Sequence, residues 1–136
     1  MYDKTLALDM LRQIQWSTQT LLKRFRPIKS ASDFLKSDER LEKLDTICMQ
    51  LIAIGESLKN LEKVTDTSLL ARYPEIDWSK VKGMRDVISH HYFDLDAEVV
   101  YAVCTDHIGN LAQAIRQMIA DLESSNTLPS SGPEDS

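Results

Sequence analysis

The stretch Leu41-Glu-Lys-Leu-Asp-Thr-Ile-Cys-Met-Gln-Leu-Ile-Ala-Ile-Gly-Glu-Ser-Leu-Lys-Asn-Leu61 decides the fold class. Leu41, Leu44, Cys48, Leu51, Gly55 and Leu58 recur at spacings of three and four, the period of an α-helix. Ile47, Ile54 and Leu61 widen the same face. The stripe is broader than the seam of a two-stranded coiled coil and suits a helix packed inside a bundle. The spacing predicts one long helix from about Asp38 to Val64. Gly55 sits on the stripe, where the missing side chain admits a close neighbour.

Working outward, Ala7, Leu11, Ile14, Thr18, Leu21 and Phe25 repeat the same spacing, started by Asp3 or Thr5 and stopped by Pro27. Downstream, Thr65-Asp66-Thr67 reads as a break and a new cap. A short helical piece over Ser68 to Arg72 ends before Pro74. Asp77 is a good N-cap for a third helix from Trp78 to about His91. Asp94-Leu-Asp96 makes another break. A closing helix to about Glu123 carries Val100, Cys104, His107, Leu111, Ala114 and Met118, with Ile108, Ile115 and Leu122 beside them. No strand pattern stands out, and the chain holds only 4 Gly and 4 Pro. The expected architecture is all-α: four main helices, the first two long and antiparallel, in one domain over residues 1–123. The tail, Ser124 to Ser136, is rich in Ser, Pro and acid and is expected to be disordered.

A chain of 136 residues with 43% hydrophobic residues supports one core, and a dimer would help it hide surface. The net charge of −5 argues against broad nucleic-acid binding, which needs many cations, but leaves room for a local basic site. Cys48 and Cys104 belong to no CxxC or Cys/His spacing, so they read as buried reduced thiols and no metal site is expected. No apolar run approaches a membrane span and no signal architecture opens the chain, which reads as cytoplasmic. No cofactor motif is present in the sequence.

One segment departs from the pattern around it. Ile76-Asp-Trp-Ser-Lys-Val-Lys-Gly-Met-Arg-Asp-Val-Ile-Ser-His-His-Tyr-Phe93 gathers Lys80, Lys82, Arg85, His90, His91 and Tyr92 in one short helix and its end. Cutting RNA needs a base for the ribose 2′-hydroxyl, an acid for the leaving 5′-oxygen and a cation for the phosphate. Histidine suits the proton transfers, because its ordinary pKa of roughly 6.5 lies near working pH. Arginine suits the phosphate through its planar, permanently charged fork. Arg85, Ser89 and Tyr92 share a helix face, whereas His90, five residues from Arg85, lies off it. For Arg85 and His90 to serve one phosphate, the helix loosens near His90, the arginine reaches around, or the two groups meet across a dimer interface. Gly83 would allow close packing by a second chain.

The segment resembles the HEPN family motif of Arg, four to six residues, then His. It is similar above all to the HepT-like branch, also called domain of unknown function 86, whose motif extends to Arg-x4-His-x-Tyr. Here that is Arg85, His90 and Tyr92. Ile76-Asp-Trp78, Gly83-Met-Arg85, the His-x-Tyr-Phe run followed by Asp94, and Ile54-Gly-Glu56 in the second helix fit as well, and the likeness covers roughly Asp3 to Leu122. The resemblance implies a dimeric bundle of four to five helices whose two motifs line a shared cleft. It implies a metal-independent endoribonuclease toxin with Arg85 and His90 catalytic and Tyr92 supporting the site. It also implies an antitoxin partner, commonly a minimal nucleotidyltransferase of the MNT type, which can transfer AMP to the motif tyrosine. The added phosphate would bring negative charge beside Arg85 and repel RNA.

Two departures from the family pattern stand out. Asp86 replaces the Asn common after the arginine, where a carboxylate can bind Arg85 or oppose RNA phosphate. His91 stands where an acid is common and reads as solvent-exposed or as a spare proton carrier. The rival function is a non-catalytic binding partner of a nucleotidyltransferase, which the acidic charge and Asp86 favour. A purely structural bundle leaves the polar cluster unexplained. His107, on an apolar stripe, reads as a packing histidine. Lys23, Arg24, Arg26 and Lys29 read first as cations favouring a helix C-terminus, with binding of an RNA strand or an acidic partner as the alternative.

Overall fold

The computed structural model describes residues 2–90 and 97–127, and within these not the side chains of Arg85, Val87, Ser89, His90 and residues 125–127. Tyr92, His91 and the expected break at Asp94–Asp96 lie outside the described residues, as does the tail from residue 128. The regular elements among the described residues are all helical, with no strand among them.

Helix α1 spans Lys4–Phe25. Of the two candidate starters, Asp3 is the cap: its carboxylate accepts from the Leu6 amide at 3.1 Å, satisfying one of the four orphan donors of a helix start. Ala7, Leu11, Ile14, Thr18 and Leu21 are almost wholly buried. Phe25 is partly buried, its ring 5.3 Å from that of Tyr101 and 6.3 Å from that of Phe34. A 3-10 turn, Ala31–Leu35, crosses to the next helix. Its hub is the buried Asp33 carboxylate, which accepts from the Lys29 amide at 2.7 Å and faces Lys36 at 2.8 Å and Arg40 at 3.4 Å. The bonds from Lys36 and the Lys29 amide hold its carboxyl below the ordinary value of 3.8.

Helix α2 spans Asp38–Val64, capped by the Ser37 hydroxyl on the Arg40 amide at 3.2 Å. Leu44, Ile47, Cys48, Leu51, Ile54, Gly55, Leu58 and Leu61 are buried as the stripe requires. Leu41 is not: it is 39% exposed, because it lies roughly 90° around the helix from Leu51 and Leu58. The break after α2 is real, but it closes that helix and does not cap a new one. The Thr67 amide reaches back to the Glu62 carbonyl at 2.9 Å and the Asp66 amide to Lys63 at 3.4 Å. This is a Schellman end, with Asp66 at φ 53° and Thr67 at φ 62° in the left-handed region. The next piece shortens to a 3-10 turn, Leu70–Arg72, with no side-chain cap.

Helix α3 spans Trp78–His90. The closing helix is built from α4 (Ala97–Val103), a π-helical segment (Cys104–Ile108) and α5 (Gly109–Thr127). These three run on without a break, since Val103 and Gly109 at the joints both keep right-handed helical backbone. Helix α5 continues to Thr127, four residues beyond the expected Glu123.

Helix α1 packs on α2 and α5, and α2 packs on α3. Cross-links fix the directions. Lys82 meets Glu62 while Lys59 meets Asp86, so α3 runs antiparallel to α2. Arg12 meets Glu123 while the Tyr101 hydroxyl donates to the Lys29 carbonyl, so the closing helix runs antiparallel to α1. No helix among the described residues is long and apolar enough to cross a membrane.

Candidate functional site

The site expected on the sequence is carried by α3, and the chain fixes that helix at its start and along two faces. Asp77 caps it, accepting from the Lys80 amide at 3.2 Å. At its first residue, the Trp78 indole donates to the Tyr73 carbonyl at 3.0 Å. The Tyr73 hydroxyl in turn donates to Asp121 on α5 at 2.5 Å. Burial and that carboxylate push the Tyr73 phenol well above its usual range, while the phenol and Gln117 hold Asp121 low. Val81, Met84 and Ile88 form the buried face of α3.

Toward α2, Lys82 pairs with Glu62 and Asp86 pairs with Lys59, whose Nζ lies 3.6 Å from Oδ2. Lys59 was not singled out by sequence reasoning. Its signal is its place one turn beyond the Ile54-Gly-Glu56 run on α2, facing the residue that follows Arg85. Asp86 thus has a cationic neighbour other than the arginine, and about half of its side chain remains exposed.

The backbone of α3 is helical through His90. Among the described residues, α3 shows no loosening up to His90 that would let one helix aim both groups at one phosphate. Positions 85 and 90 stand about 140° apart around the axis and about 7.5 Å apart along it. An arginine that reaches around, or a meeting across two chains, remains. The Arg85, Ser89 and His90 side chains and the whole of Tyr92 and His91 lie outside what is described.

On its other flank, α3 faces the closing helix across a groove. Its upper part is an apolar cavity of about 340 Å³ lined by Gly83, Met84, Ile88, Val99 and Val103 among others. A more polar cavity of about 290 Å³ adjoins it, lined by Asp77, Lys80, Asn110 and His107 among others. His107 is exposed, contrary to the packing role its spacing suggested. The π-helical segment Cys104–Ile108 is the reason. A π-turn adds one residue to the helical repeat, so burial passes from Cys104 to Ile108 and Leu111 and skips His107. Cys48 and Cys104 are buried free thiols, pushed up to about 12 chiefly by burial. Among the described residues no group of three or more His, Cys, Asp or Glu could hold a metal ion.

Comparison with known proteins places this architecture. The family model "Ribonuclease HepT-like" matches residues 14–118, from within α1 to within α5. The protein named "Putative RNase MJ0127" of Methanocaldococcus jannaschii is 30% identical over 91 residues, 67% of this chain and 69% of its own length. The "Putative RNase TTE0752" of Caldanaerobacter subterraneus subsp. tengcongensis is 26% identical over 109 residues, 80% of this chain and 90% of its own length. No solved structure matches. The family match spans more than half of the chain and includes all of α3 with Arg85 and His90, so the chain belongs to the HepT-like ribonuclease family.

Proposed function

We propose that this protein is a metal-independent endoribonuclease, active as a homodimer, and the toxin of a toxin–antitoxin pair. Arg85 binds the scissile phosphate and stabilises the charge that develops on it. His90 takes the proton from the ribose 2′-hydroxyl, or returns one to the leaving oxygen. The 2′-oxygen attacks phosphorus, the bond to the 5′-oxygen breaks, and the products carry a 2′,3′-cyclic phosphate and a 5′-hydroxyl. Tyr92 supports the site and is the acceptor of AMP from an MNT-type nucleotidyltransferase antitoxin.

Membership of a ribonuclease family, with Arg85 and His90 on one capped helix, carries this reading. Two further observations support a dimer. The helix is regular between the two groups. In addition, apart from its chain neighbours and the backbone of its own helix, no atom of the described residues lies within 4 Å of where a Cβ on Gly83 would stand, beside a groove edged by Val99 at 46% exposure. The purified protein, freed of any antitoxin, is expected to cut RNA in EDTA and to leave cyclic phosphate ends. A protein confirmed unmodified at Tyr92 by mass spectrometry, folded and dimeric yet inert, would make it a binding partner of the nucleotidyltransferase and not an enzyme.

The Lys59–Asp86 pair leads to a second expectation. A carboxylate about 8 Å from a phosphate costs about 2 kcal/mol at an effective dielectric constant near 20. Exposure and salt reduce that figure. Lys59 offsets the carboxylate next to Arg85. Lys59→Met is expected to lower kcat/KM for cleavage about ten-fold at low salt, by the same Coulomb estimate. Adding Asp86→Asn, which removes the charge to be offset, is expected to restore it. Equal activity of the single variant and wild type would remove Lys59 from the site.

A further inference from the structure

From Met10 to Ser32 the chain holds five cations, Arg12, Lys23, Arg24, Arg26 and Lys29, and no carboxylate, although the whole protein carries −5. Arg12 is bridged to Glu123. Lys23, Arg24, Arg26 and Lys29 are exposed, and none of the four pairs with a carboxylate among the described residues. On the same helix Trp16 is 62% exposed. It stands nearly opposite the buried stripe of Ala7, Leu11 and Thr18. Lys23 follows it by two turns, about 10 Å along the same outer face. The other tryptophan, Trp78, is partly buried and bonded to the Tyr73 carbonyl.

Helix-end electrostatics account for Lys23 and Arg24 in the last turn of α1. Lys29 likewise donates its ammonium to the carbonyl of Arg26, the C-cap of α1, at 3.3 Å, but helix-end electrostatics do not account for an indole left in water. An aromatic face followed by unpaired cations is the arrangement that binds single strands: bases stack on the ring and phosphates lie along the cations. The topology adds a direction. Asp33 meets both the Lys29 amide and Arg40, which sets the basic end of α1 beside the start of α2; because α3 runs antiparallel to α2, that end lies at the pole toward which α3 carries Arg85 and His90. The Tyr101–Lys29 bond ties that end to α4, the next helix among the described residues after α3.

We propose that the outer face of α1 and its basic end form a track for single-stranded RNA. Trp16 stacks on a base, and Lys23, Arg24, Arg26 and Lys29 hold the phosphates of the strand leading to the pole of the catalytic helix. Acidic groups on a protein surface would match the cations but would not engage the indole, whereas every nucleotide supplies both a phosphate and a stacking face. The choice of polymer rests on the ribonuclease reading above.

The test uses a fluorescein-labelled oligonucleotide of ten 2′-O-methyl uridines, which has no 2′-hydroxyl and cannot be cut by the proposed chemistry. Binding to the full-length protein is read by anisotropy. Binding is expected to weaken about ten-fold in Trp16→Ala, the order measured for loss of one base stack. The triple variant Lys23→Gln, Arg24→Gln, Arg26→Gln is expected to flatten the plot of log K against log salt by about 2, from about 0.7 per phosphate contact. Trp16→Phe, which keeps a stacking face, is expected to retain most of the affinity. Wild-type protein that does not bind overturns the proposal. So do folded variants that bind like wild type, and variants that keep the oligonucleotide but lose a protein partner. Because the probe is uncleavable, a protein that binds it but never cuts ordinary RNA leaves the track standing and ends the catalytic reading. One that cuts RNA while Trp16 and the cations prove irrelevant ends only the track.

Discussion

Arg85→Ala and His90→Ala proteins are each expected to be inactive alone and to recover about a quarter of the wild-type rate when their subunits are mixed, if the dimer pairs groups across its axis. General acid–base catalysis by a placed histidine contributes about 10²–10⁴-fold, so loss of His90 alone takes cleavage close to background. The mixing result follows from the regular helix. With α3 unbroken through His90, the two positions diverge around its axis. One phosphate is then most simply served by the arginine of one chain and the histidine of the other. Random exchange makes half of the dimers mixed, and each mixed dimer has one site with both substitutions and one with neither. Half of the dimers with half of their sites gives the quarter. If each site draws on a single chain, every site in a mixed dimer is damaged and nothing is recovered. That outcome would sink the shared site while leaving the ribonuclease assignment intact. Recovery requires subunit exchange, which two different affinity tags on the variants would verify.

The bundle was legible in the sequence because its helices obey one period and announce their ends. Helix α2 begins at Asp38 and ends at Val64, where the apolar stripe begins to fade and Thr65-Asp66-Thr67 breaks it. Reading failed where the local repeat changes. His107 was placed on a buried stripe by counting three and four, yet the π-helical segment shifts the register by one residue and turns it outward. Nothing in the residue types of Cys104-Thr-Asp-His-Ile108 announces a π-turn. Leu41 failed for a simpler reason: an apolar residue at helical spacing can still lie at the flank of a stripe. For the site, the motif on α3 was legible as a string, and Asp86 stood out as a departure from it. Lys59, its neighbour across the α2–α3 seam, was not, because an ion pair 27 residues apart in sequence is created by antiparallel packing and leaves no local pattern.

Leu58→Ala is expected to destabilise the fold by about 2–5 kcal/mol, the range for truncating a fully buried leucine. Leu58 is 0% exposed on α2, the helix that packs against both α1 and α3. Its removal leaves a cavity among elements already held by other contacts, so little collapse can offset the loss. Urea unfolding followed by circular dichroism would measure it, with an unchanged slope showing that the native state alone is affected. The neighbouring position provides the control. Lys59 is only partly buried and its partner is half exposed, so Lys59→Met should move the unfolding midpoint little, as exposed ion pairs contribute about 0–1 kcal/mol. Its expected effect is on cleavage. Two adjacent residues on one helix would then divide cleanly, one holding the bundle and the other conditioning the phosphate site beside it. If Lys59→Met instead unfolds the protein as readily as Leu58→Ala, the seam between α2 and α3 depends on that ion pair for stability. Rescue of cleavage by Asp86→Asn would then have to be accompanied by rescue of the unfolding midpoint. A split between the two readouts would separate electrostatics at the site from packing at the seam.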